Sequence, residues 1–331
     1  MNRICVIYTG GTIGMVPTGK GYAPKKGSLR GLLEKLPAEL PSYDLIEFDP
    51  LLDSSNISIE QWNQIGQLIY DKYEDYEGFV ILHGTDTMAY TASALSFMLE
   101  NLNKPVIITG SQIPLSQIRS DGQDNIVTSL LIAAGGNVKE VGLYFGGKLL
   151  RGNRATKTSA DGLIAFDSPN YPSLAKAGID IVVNDSLLWK SEDKPLVFHP
   201  FGQSNVGVLK LFPGIPFRLY ESLVMSELDG IVLEAFGTGN IPSANEEMMN
   251  ILTGALKVGA LIVVCSQCLK GTVRLGTYET SDVLIRAGAV SGYDMTLEAC
   301  ITKLYYLFSK GLSKQDIKQL MEEDLRGELT K

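Results

Sequence analysis

The run Arg3-Ile-Cys-Val-Ile-Tyr8, continued by Thr9-Gly-Gly-Thr12-Ile-Gly14, is the stretch from which the fold is inferred. Its first half is apolar and rich in β-branched residues, which is typical of a buried strand. The glycines that follow predict a tight turn whose main-chain N–H groups can face a ligand. We therefore expect a buried first strand that ends in a ligand-facing turn, with Thr12 inside that turn.

Thr12 has two interpretations. Its hydroxyl, held among main-chain donors at the end of a strand, could be a nucleophile beside an oxyanion site. It could instead bond its own backbone and stabilise the turn, and the stretch taken alone favours this second role. The turn is not a P-loop, since no Gly-Lys-Ser/Thr closes it, and it does not match the Gly-x-Gly-x-x-Gly dinucleotide turn.

Apolar runs followed by polar turns recur along the first half of the chain. We predict strands at residues 43–48, 78–82, 105–109 and 141–145, with helices between most of them. This alternation indicates βαβ units in an α/β fold, a doubly wound (flavodoxin-like), mostly parallel sheet covered on both faces. In such sheets ligands bind beyond the carboxyl ends of the strands.

A chain of 331 residues is long enough for two domains. We expect an N-terminal α/β catalytic domain at residues 1–185, an irregular interdomain linker at 186–205 and a C-terminal α/β domain at 206–331. The last segment repeats the alternation of strands and helices and predicts a smaller, Rossmann-like parallel sheet. One of its helices is expected after Pro216 and another after the capping box Ser243-Ala-Asn-Glu246.

The composition limits the possible partners. Of all residues 45% are hydrophobic, 29 are Lys or Arg and 37 are Asp or Glu, which leaves a net charge of −8. This balance gives no electrostatic footprint for nucleic acid or an anionic membrane, so we expect a small-molecule ligand. The apolar run at 4–8 is too short for a secretory signal, and no apolar run approaches the roughly 18 residues of a membrane span. We therefore expect a cytoplasmic protein.

Four cysteines, Cys5, Cys265, Cys268 and Cys300, are too few and too scattered for a disulfide framework. The spacing Cys265-Ser-Gln-Cys268 could indicate redox chemistry or half of a zinc site. No second cysteine pair and no histidine pair accompanies it, so we expect buried thiols at the end of a strand instead. The sequence predicts no metal site.

Further polar residues lie in the first two loops of the chain. Tyr22 belongs to an aperiodic segment rich in Gly, Pro and Lys, residues 15–27, which could act as a lid over a neighbouring site. An exposed loop tyrosine is the alternative. Asp53, Ser54 and Ser55 lie between a predicted strand and a helix, where such residues commonly organise a turn.

Two more candidates lie beyond the strand at 78–82. Thr85 and Asp86 follow that strand, and Asp86 with Thr87 lies where a helix N-cap belongs, so capping is the alternative to a functional role. Lys157 lies in a polar, basic connection. Most such lysines are solvated, but one drawn into a closed site could lower the pKa of a neighbouring hydroxyl or have its own pKa lowered.

Two motifs taken together, Tyr8-Thr-Gly-Gly-Thr12-Ile-Gly14 and Leu82-His-Gly-Thr85-Asp86-Thr87-Met-Ala-Tyr90, resemble the signatures of the L-asparaginase family, in its cytoplasmic bacterial-type branch (type I). The resemblance covers nearly the whole chain, because further stretches follow in the family's order: Asp53-Ser-Ser55, Thr109-Gly-Ser-Gln-Ile-Pro114, Arg119-Ser-Asp-Gly122, Arg151-Gly-Asn-Arg154 with Lys157, and Phe236-Gly-Thr-Gly-Asn240. This ordered set is very specific and favours the nucleophile interpretation of Thr12.

The resemblance implies hydrolysis of L-asparagine to L-aspartate and ammonia without a metal or an organic cofactor. Thr12 would attack the side-chain amide carbon and form an acyl-enzyme, which water then cleaves. Tyr22 would close over the substrate with the lid and assist Thr12. Thr85, Lys157 and Asp86 would form a second hydroxyl–lysine–carboxylate set that takes part in proton transfer.

The resemblance also implies which groups bind the substrate. Asp86 would hold the ammonium group, while Ser55 and main-chain N–H groups near Gly11 and Gly84 would hold the α-carboxylate. The loop residues that complete this site are Asp53 and Ser54.

In this family the active sites lie between the large domain of one subunit and the small domain of its neighbour. Asn240 matches the position that reaches across, so a homodimer or a homotetramer is implied. Two alternatives share the motifs: the asparaginase-like subunit of a tRNA-dependent amidotransferase, which carries an extra N-terminal domain, and an amino-acid-binding sensor that has lost turnover. The expected hydroxyl, lysine and aspartate groups are all present, so the sequence offers no reason for lost catalysis.

Overall fold

The computed structural model describes residues 3–19, 21–191, 193–220, 228–277 and 279–331. The chain divides into two compact units, Met1–Pro200 and Phe201–Lys331. Each unit combines a parallel sheet with helices, which confirms the predicted α/β class. Within the described residues, no helix is both long enough and apolar enough to cross a membrane.

The first unit contains most of the strands. In chain order they are β1 (Ile4–Gly10), β2 (Met15–Thr18), β3 (Gly21–Pro24), β4 (Tyr43–Leu52), β5 (Gly78–Leu82), β6 (Leu99–Glu100), β7 (Val106–Thr109), β8 (Val141–Phe145), β9 (Lys148–Arg151), β10 (Thr156–Lys157), β11 (Phe166–Asp167), β12 (Ala175–Ala177), β13 (Ile181–Val183) and β14 (Val197–Phe198). Its helices are α1 (Ser28–Leu33), α2 (Ile59–Asp71), α3 (Met88–Met98) and α4 (Gly122–Gly135).

Eight of these strands form one sheet, in the order β13-β12-β9-β8-β7-β5-β1-β4. The five strands from β8 to β4 in this order are parallel, whereas β9, β12 and β13 add an antiparallel edge. Every residue of β1 and β5 is buried, as expected for central strands covered on both faces. The predicted mostly parallel sheet is therefore confirmed.

The register of β1 brings three strand ends to one edge of the sheet. Tyr8 pairs with Leu82 on one side and with Glu47 on the other. Beyond Tyr8 the pairing with β4 becomes irregular and resumes at Gly10 and Leu52. Because these strands are parallel, the loops that follow β1, β4 and β5 leave the sheet side by side.

Helix α2 begins at a capping box. Ser58 and Gln61 form it, with the Ser58 N–H donating to Gln61 Oε1 over 2.9 Å.

The prediction of an irregular segment at residues 15–27 is wrong in part, because β2 and β3 pair as an antiparallel hairpin. Much of this hairpin is exposed on both faces, so its strands carry no apolar periodicity that a sequence pattern could reveal.

The second unit contains β15 (Val206–Lys210), β16 (Gly230–Ala235), β17 (Leu261–Ser266) and β18 (Val290–Ser291), which form a parallel sheet in that order. Its helices are α5 (Glu246–Val258), α6 (Glu279–Arg286), α7 (Leu297–Ser309) and α8 (Lys314–Met321). The predicted second, smaller parallel sheet is confirmed.

Two predicted helix starts in the second unit need comment. The N-cap of α5 is Asn245 and not Ser243, because the Asn245 side chain accepts a hydrogen bond from the Met248 N–H over 3.0 Å. After Pro216, where a helix is predicted, residues 218–220 are helical and residues 221–227 lie outside the described residues.

Candidate active site

Three loops meet at the carboxyl ends of β1, β4 and β5. Their closest approach is between glycines, since a Cβ atom on Gly11 would overlap the backbone of Gly84, and one on Gly84 would overlap the side chain of Ser54. Gly11 also has a φ of 87°, which favours glycine. This packing brings Thr12, Ser54 and the Thr85 loop to one place, as the sequence predicts from the strand order.

Thr12 begins a single 3-10 turn, Thr12–Gly14, which we call the Thr12 turn. Its main-chain carbonyl accepts a hydrogen bond from the Met15 N–H, whereas its hydroxyl bonds to no residue in the described part of the chain. The hydroxyl therefore does not stabilise the turn. It is half-buried and available to a bound molecule.

Lys157 links Thr85 to Asp86 by hydrogen bonds to both side chains. Lys157 Nζ lies 3.0 Å from Thr85 Oγ1 and 2.8 Å from Asp86 Oδ1. Thr85 is buried, the Lys157 side chain is 21% exposed and that of Asp86 is 63% exposed. The hydroxyl, ammonium and carboxylate groups that the sequence singles out thus form one connected set that reaches from the interior to solvent.

The direction of the Thr85 O–H bond follows from Gln112. The side-chain amide of Gln112 donates to the carbonyl oxygens of Ala160 and Gly162, each over 3.2 Å. Its oxygen must therefore face Thr85, which donates to it over 3.1 Å. The Thr85 oxygen in turn accepts from Lys157, and one of its lone pairs remains for a further donor.

Asp121 holds the main chain at Gln112. Its carboxylate accepts hydrogen bonds from the N–H groups of Gln112 and Ile113, at distances of 3.0–3.1 Å. In the sequence Gln112 stands within the longer motif Thr109–Pro114 and has no predicted role. Its partners lie far away along the chain, so no local pattern identifies it.

A buried histidine fixes the backbone just before Thr85. Trp62 Nε1–H donates to Thr91 Oγ1 over 3.0 Å, and Thr91 Oγ1–H donates to His83 Nε2 over 2.9 Å. His83 Nδ1–H then donates to the Gly84 carbonyl over 2.7 Å, because a carbonyl can only accept. Complete burial lowers the pKa of His83 to about 4, so the ring is neutral near pH 7.

The loop after β4 has a mainly structural arrangement around Ser54. The Asp53 carboxylate accepts from the Ser55 N–H over 3.0 Å and caps a 3-10 turn. Ser54 is buried, and its carbonyl accepts from the Thr87 hydroxyl over 2.7 Å. Thr87 is the N-cap of α3 but makes no side-chain capping bond, and Asp86 pairs with Lys157. The predicted N-cap position is therefore confirmed at Thr87, but the interpretation that these side chains cap the helix is wrong.

Two further predicted site residues are Tyr22 and Asn240, whose roles these contacts do not test. Tyr22 lies on β3, which packs against the Thr12 turn, but its side chain is 47% exposed and bonds to no described residue. Asn240 lies in the second unit, where its main chain pairs with that of Phe236. The roles assigned to Tyr22 and Asn240 stay predictions.

The cysteines near the end of β17 differ in burial. Cys265 is buried at the end of β17, as expected, and its sulfur lies 2.8 Å from that of Cys300. Cys268 is exposed, so the prediction of a buried thiol is wrong there, because β17 ends at Ser266 and the next residues reach solvent. Within the described ranges, no cluster of His, Cys, Asp or Glu could hold a metal ion.

Comparison with known proteins gives matches along nearly the whole chain. Residues 3–189 match the family model "Asparaginase, N-terminal" and residues 205–321 match "Glutaminase/Asparaginase C-terminal domain". The chain is 46% identical over 331 residues to L-asparaginase 1 of Escherichia coli strain K12, with 99% of this chain and 98% of that protein covered.

Two further similarities come from a more distant protein and from a solved structure. The chain is 42% identical over 355 residues to a 60 kDa lysophospholipase of Mus musculus, with 99% of this chain and 62% of that protein covered. The crystal structure of L-asparaginase I from Vibrio cholerae has a TM-score of 0.91 and 43% identity, with 99% of both chains covered. Sequence and fold thus point to the same relatives.

Proposed function

The chain belongs to the asparaginase family, and we propose on that basis that it hydrolyses L-asparagine to L-aspartate and ammonia. One observation carries the proposal. A buried hydroxyl hydrogen-bonded to an ammonium group, Thr85 with Lys157, lies at the same sheet edge as an unbonded hydroxyl, that of Thr12. Such a pair offers a nucleophile and a separate group for proton transfer.

We propose that Thr12 is the nucleophile. Its oxygen bonds to the side-chain amide carbon of the substrate, the C–N bond breaks, and the amide nitrogen leaves as ammonia after taking up a proton. Water then attacks the resulting aspartyl ester, releases L-aspartate and restores the Thr12 hydroxyl. The Thr12 hydroxyl makes no hydrogen bond to a described residue, so no such bond must break before its oxygen bonds to the substrate.

A threonine hydroxyl needs a proton acceptor near neutral pH, and two acceptors are proposed. Tyr22 approaches Thr12 when the segment 15–27 closes over the substrate. Thr85 keeps a lone pair for an incoming proton, and the positive charge of Lys157, 3.0 Å away, stabilises the oxygen as its own proton moves on.

Substrate binding is proposed to use opposite charges at the two ends of the amino acid. The exposed Asp86 carboxylate holds the ammonium group, and Ser55 with the N–H groups near Gly11 and Gly84 holds the α-carboxylate. Asp53 and Ser54 keep this loop in shape. Asn240 of a neighbouring subunit would complete the site, in a homodimer or homotetramer.

Ammonia release from L-asparagine and from L-glutamine, by the native protein and by Thr12→Val, tests the proposal. We expect turnover of asparagine that Thr12→Val abolishes. The two substrates differ by one methylene, worth about 1–3 kcal/mol, so the same assay measures selectivity. Binding of asparagine without ammonia release would favour the amino-acid sensor, and ammonia release only in the presence of a tRNA-charging partner would favour the amidotransferase subunit.

A further inference from the structure

Two buried polar atoms, the Tyr8 hydroxyl and Glu47 Oε1, lack a hydrogen-bond partner among the described residues. Tyr8 of β1 and Glu47 of β4 are paired in the parallel register, so their side chains leave the sheet on the same face. Tyr8 is completely buried, and its hydroxyl has no hydrogen-bond partner among the described residues. Glu47 Oε1 is also buried and unpartnered. Such groups destabilise a fold by about 1–3 kcal/mol each, so their retention calls for a reason.

The Tyr8 hydroxyl supports the Thr12 turn directly from below. A Cβ atom on Gly14, the last residue of that turn, would overlap the Tyr8 hydroxyl oxygen. The phenol therefore fills the space that a side chain at position 14 would occupy. Because the turn is only three residues long, its height above the sheet depends on this contact.

Glu47 reaches the other end of the same segment. Its second oxygen, Oε2, accepts a hydrogen bond from the Gly27 N–H over 2.9 Å. The adjacent Ser28 hydroxyl donates to the Gly14 carbonyl over 3.1 Å. Gly14 immediately precedes the predicted lid, residues 15–27, and Gly27 ends it. Both ends of the lid are thus tied to one another and to the Tyr8–Glu47 pair.

The two unpartnered atoms are chemically complementary. Burial, and then the negative charge of Glu47, raise the pKa of the Tyr8 hydroxyl above its usual value, so Tyr8 keeps its proton. It can donate that proton in a hydrogen bond, and Glu47 Oε1 can accept one. A small displacement of the turn or one ordered water between them would satisfy both atoms.

We propose that Tyr8 and Glu47 are positioning residues, which set the height of the Thr12 turn and couple it to both ends of the lid. The inference rests on the proposed role of Thr12. The pair acts on Thr12 through Gly14 and on the lid through Gly27. It is kept for function, because each unpartnered atom lowers the stability of the fold.

Tyr8→Phe tests this inference, because it removes a single oxygen that has no partner. We expect a Tm equal to or above that of the native protein, and a kcat at least about tenfold lower with KM within about twofold, as for a slightly misplaced nucleophile. Tyr144→Phe is the matched control, since Tyr144 is also completely buried but its hydroxyl bonds to Thr128 and Asp124. That variant should have a lower Tm and an unchanged kcat.

Amide hydrogen exchange separates this inference from the proposed reaction. In Tyr8→Phe and in Glu47→Gln we expect faster exchange at residues 12–16 and 26–28 than in the native protein, and no change there in Tyr144→Phe. If the native protein released no ammonia, the proposed function would be wrong. The exchange data would still show whether Tyr8 and Glu47 couple the Thr12 turn to the ends of the lid. Native exchange rates and native kcat in Tyr8→Phe would overturn the inference, as would a kcat loss that merely follows a lower Tm.

Discussion

The two corners of the large sheet that share the dipeptide Gly-Thr differ in the hydrogen bonding of the threonine. At the corner after β5, Thr85 is buried and its hydroxyl bonds to Gln112 and Lys157. At the corner after β1, the Thr12 hydroxyl is half-buried and bonds to no described residue. The difference agrees with the proposed roles, because a proton-transfer group keeps its partners whereas a nucleophile must be free to bond to substrate.

The residues around the two threonines also differ in their hydrogen bonding. Behind Thr85, His83 completes a chain of hydrogen bonds from Trp62 through Thr91 to the Gly84 carbonyl. Next to the Thr12 turn, the hydroxyl of Tyr8 has no hydrogen-bond partner among the described residues. We therefore expect the Thr85 corner to contribute to stability and the Thr12 corner to contribute mainly to activity.

The strongest test of this difference exchanges each threonine for valine. Thr12→Val should lower kcat on the order of 10⁴-fold or more and change the free energy of unfolding by no more than about 0.5 kcal/mol. Thr85→Val should lower kcat by roughly 10²–10⁴-fold and also destabilise the fold by about 1–2 kcal/mol, because it removes two hydrogen bonds. Steady-state kinetics and urea unfolding measure the two quantities. Equal destabilisation by both variants would contradict the comparison.

The next largest effect concerns the cation at the Thr85 corner. Lys157→Met keeps the length of the side chain but leaves Thr85 without its charged donor, so kcat should fall by roughly 10²–10³-fold. Lys148→Met is a matched control, since Lys148 pairs with Asp167 over 3.4 Å outside this group. Ammonia release should be unchanged in the control. Comparable losses in the two variants would mean that the charge acts on the whole unit and not on Thr85.

The smallest effect is a pH dependence of stability at the Thr85 corner. The pKa of His83 is lowered to about 4 in the fold, against about 6.5 in the unfolded chain. Its contribution is therefore complete above pH 6.5 and is lost as the pH falls toward 4, by roughly 3 kcal/mol in total. Urea unfolding between pH 7 and 4 should have a shallower pH slope in His83→Gln. The same slope in both proteins would contradict the assignment.

Local sequence patterns predict the five parallel strands of the large sheet well, but not its antiparallel edge of β9, β12 and β13. The run at 78–82 coincides with β5, because five consecutive buried positions between turn residues leave little ambiguity. Parallel order then predicts that Thr12, Ser54 and Thr85 meet at one edge, and they do. The hairpin of β2 and β3 cannot be predicted in this way, because an exposed two-stranded ribbon buries no apolar face.

Long-range side-chain contacts are the part of the site that the sequence does not reveal. Gln112 bonds to Thr85, Ala160 and Gly162, and His83 depends on Trp62 through Thr91. These contacts depend on how loops from different strands pack, which no spacing along the chain encodes. The sequence identifies Thr85 and Lys157 as separate candidates. Only the resemblance to a family implies that the two residues act together.

Covalent trapping of the intermediate tests the central claim most directly. The native protein is mixed with L-asparagine, quenched with acid during turnover, digested and examined by peptide mass spectrometry. We predict one aspartyl group on the peptide that contains Thr12, and none on that peptide in Thr12→Val. An aspartyl group on the peptide that contains Thr85, or turnover with no acylated peptide at all, would contradict the assignment of the two corners.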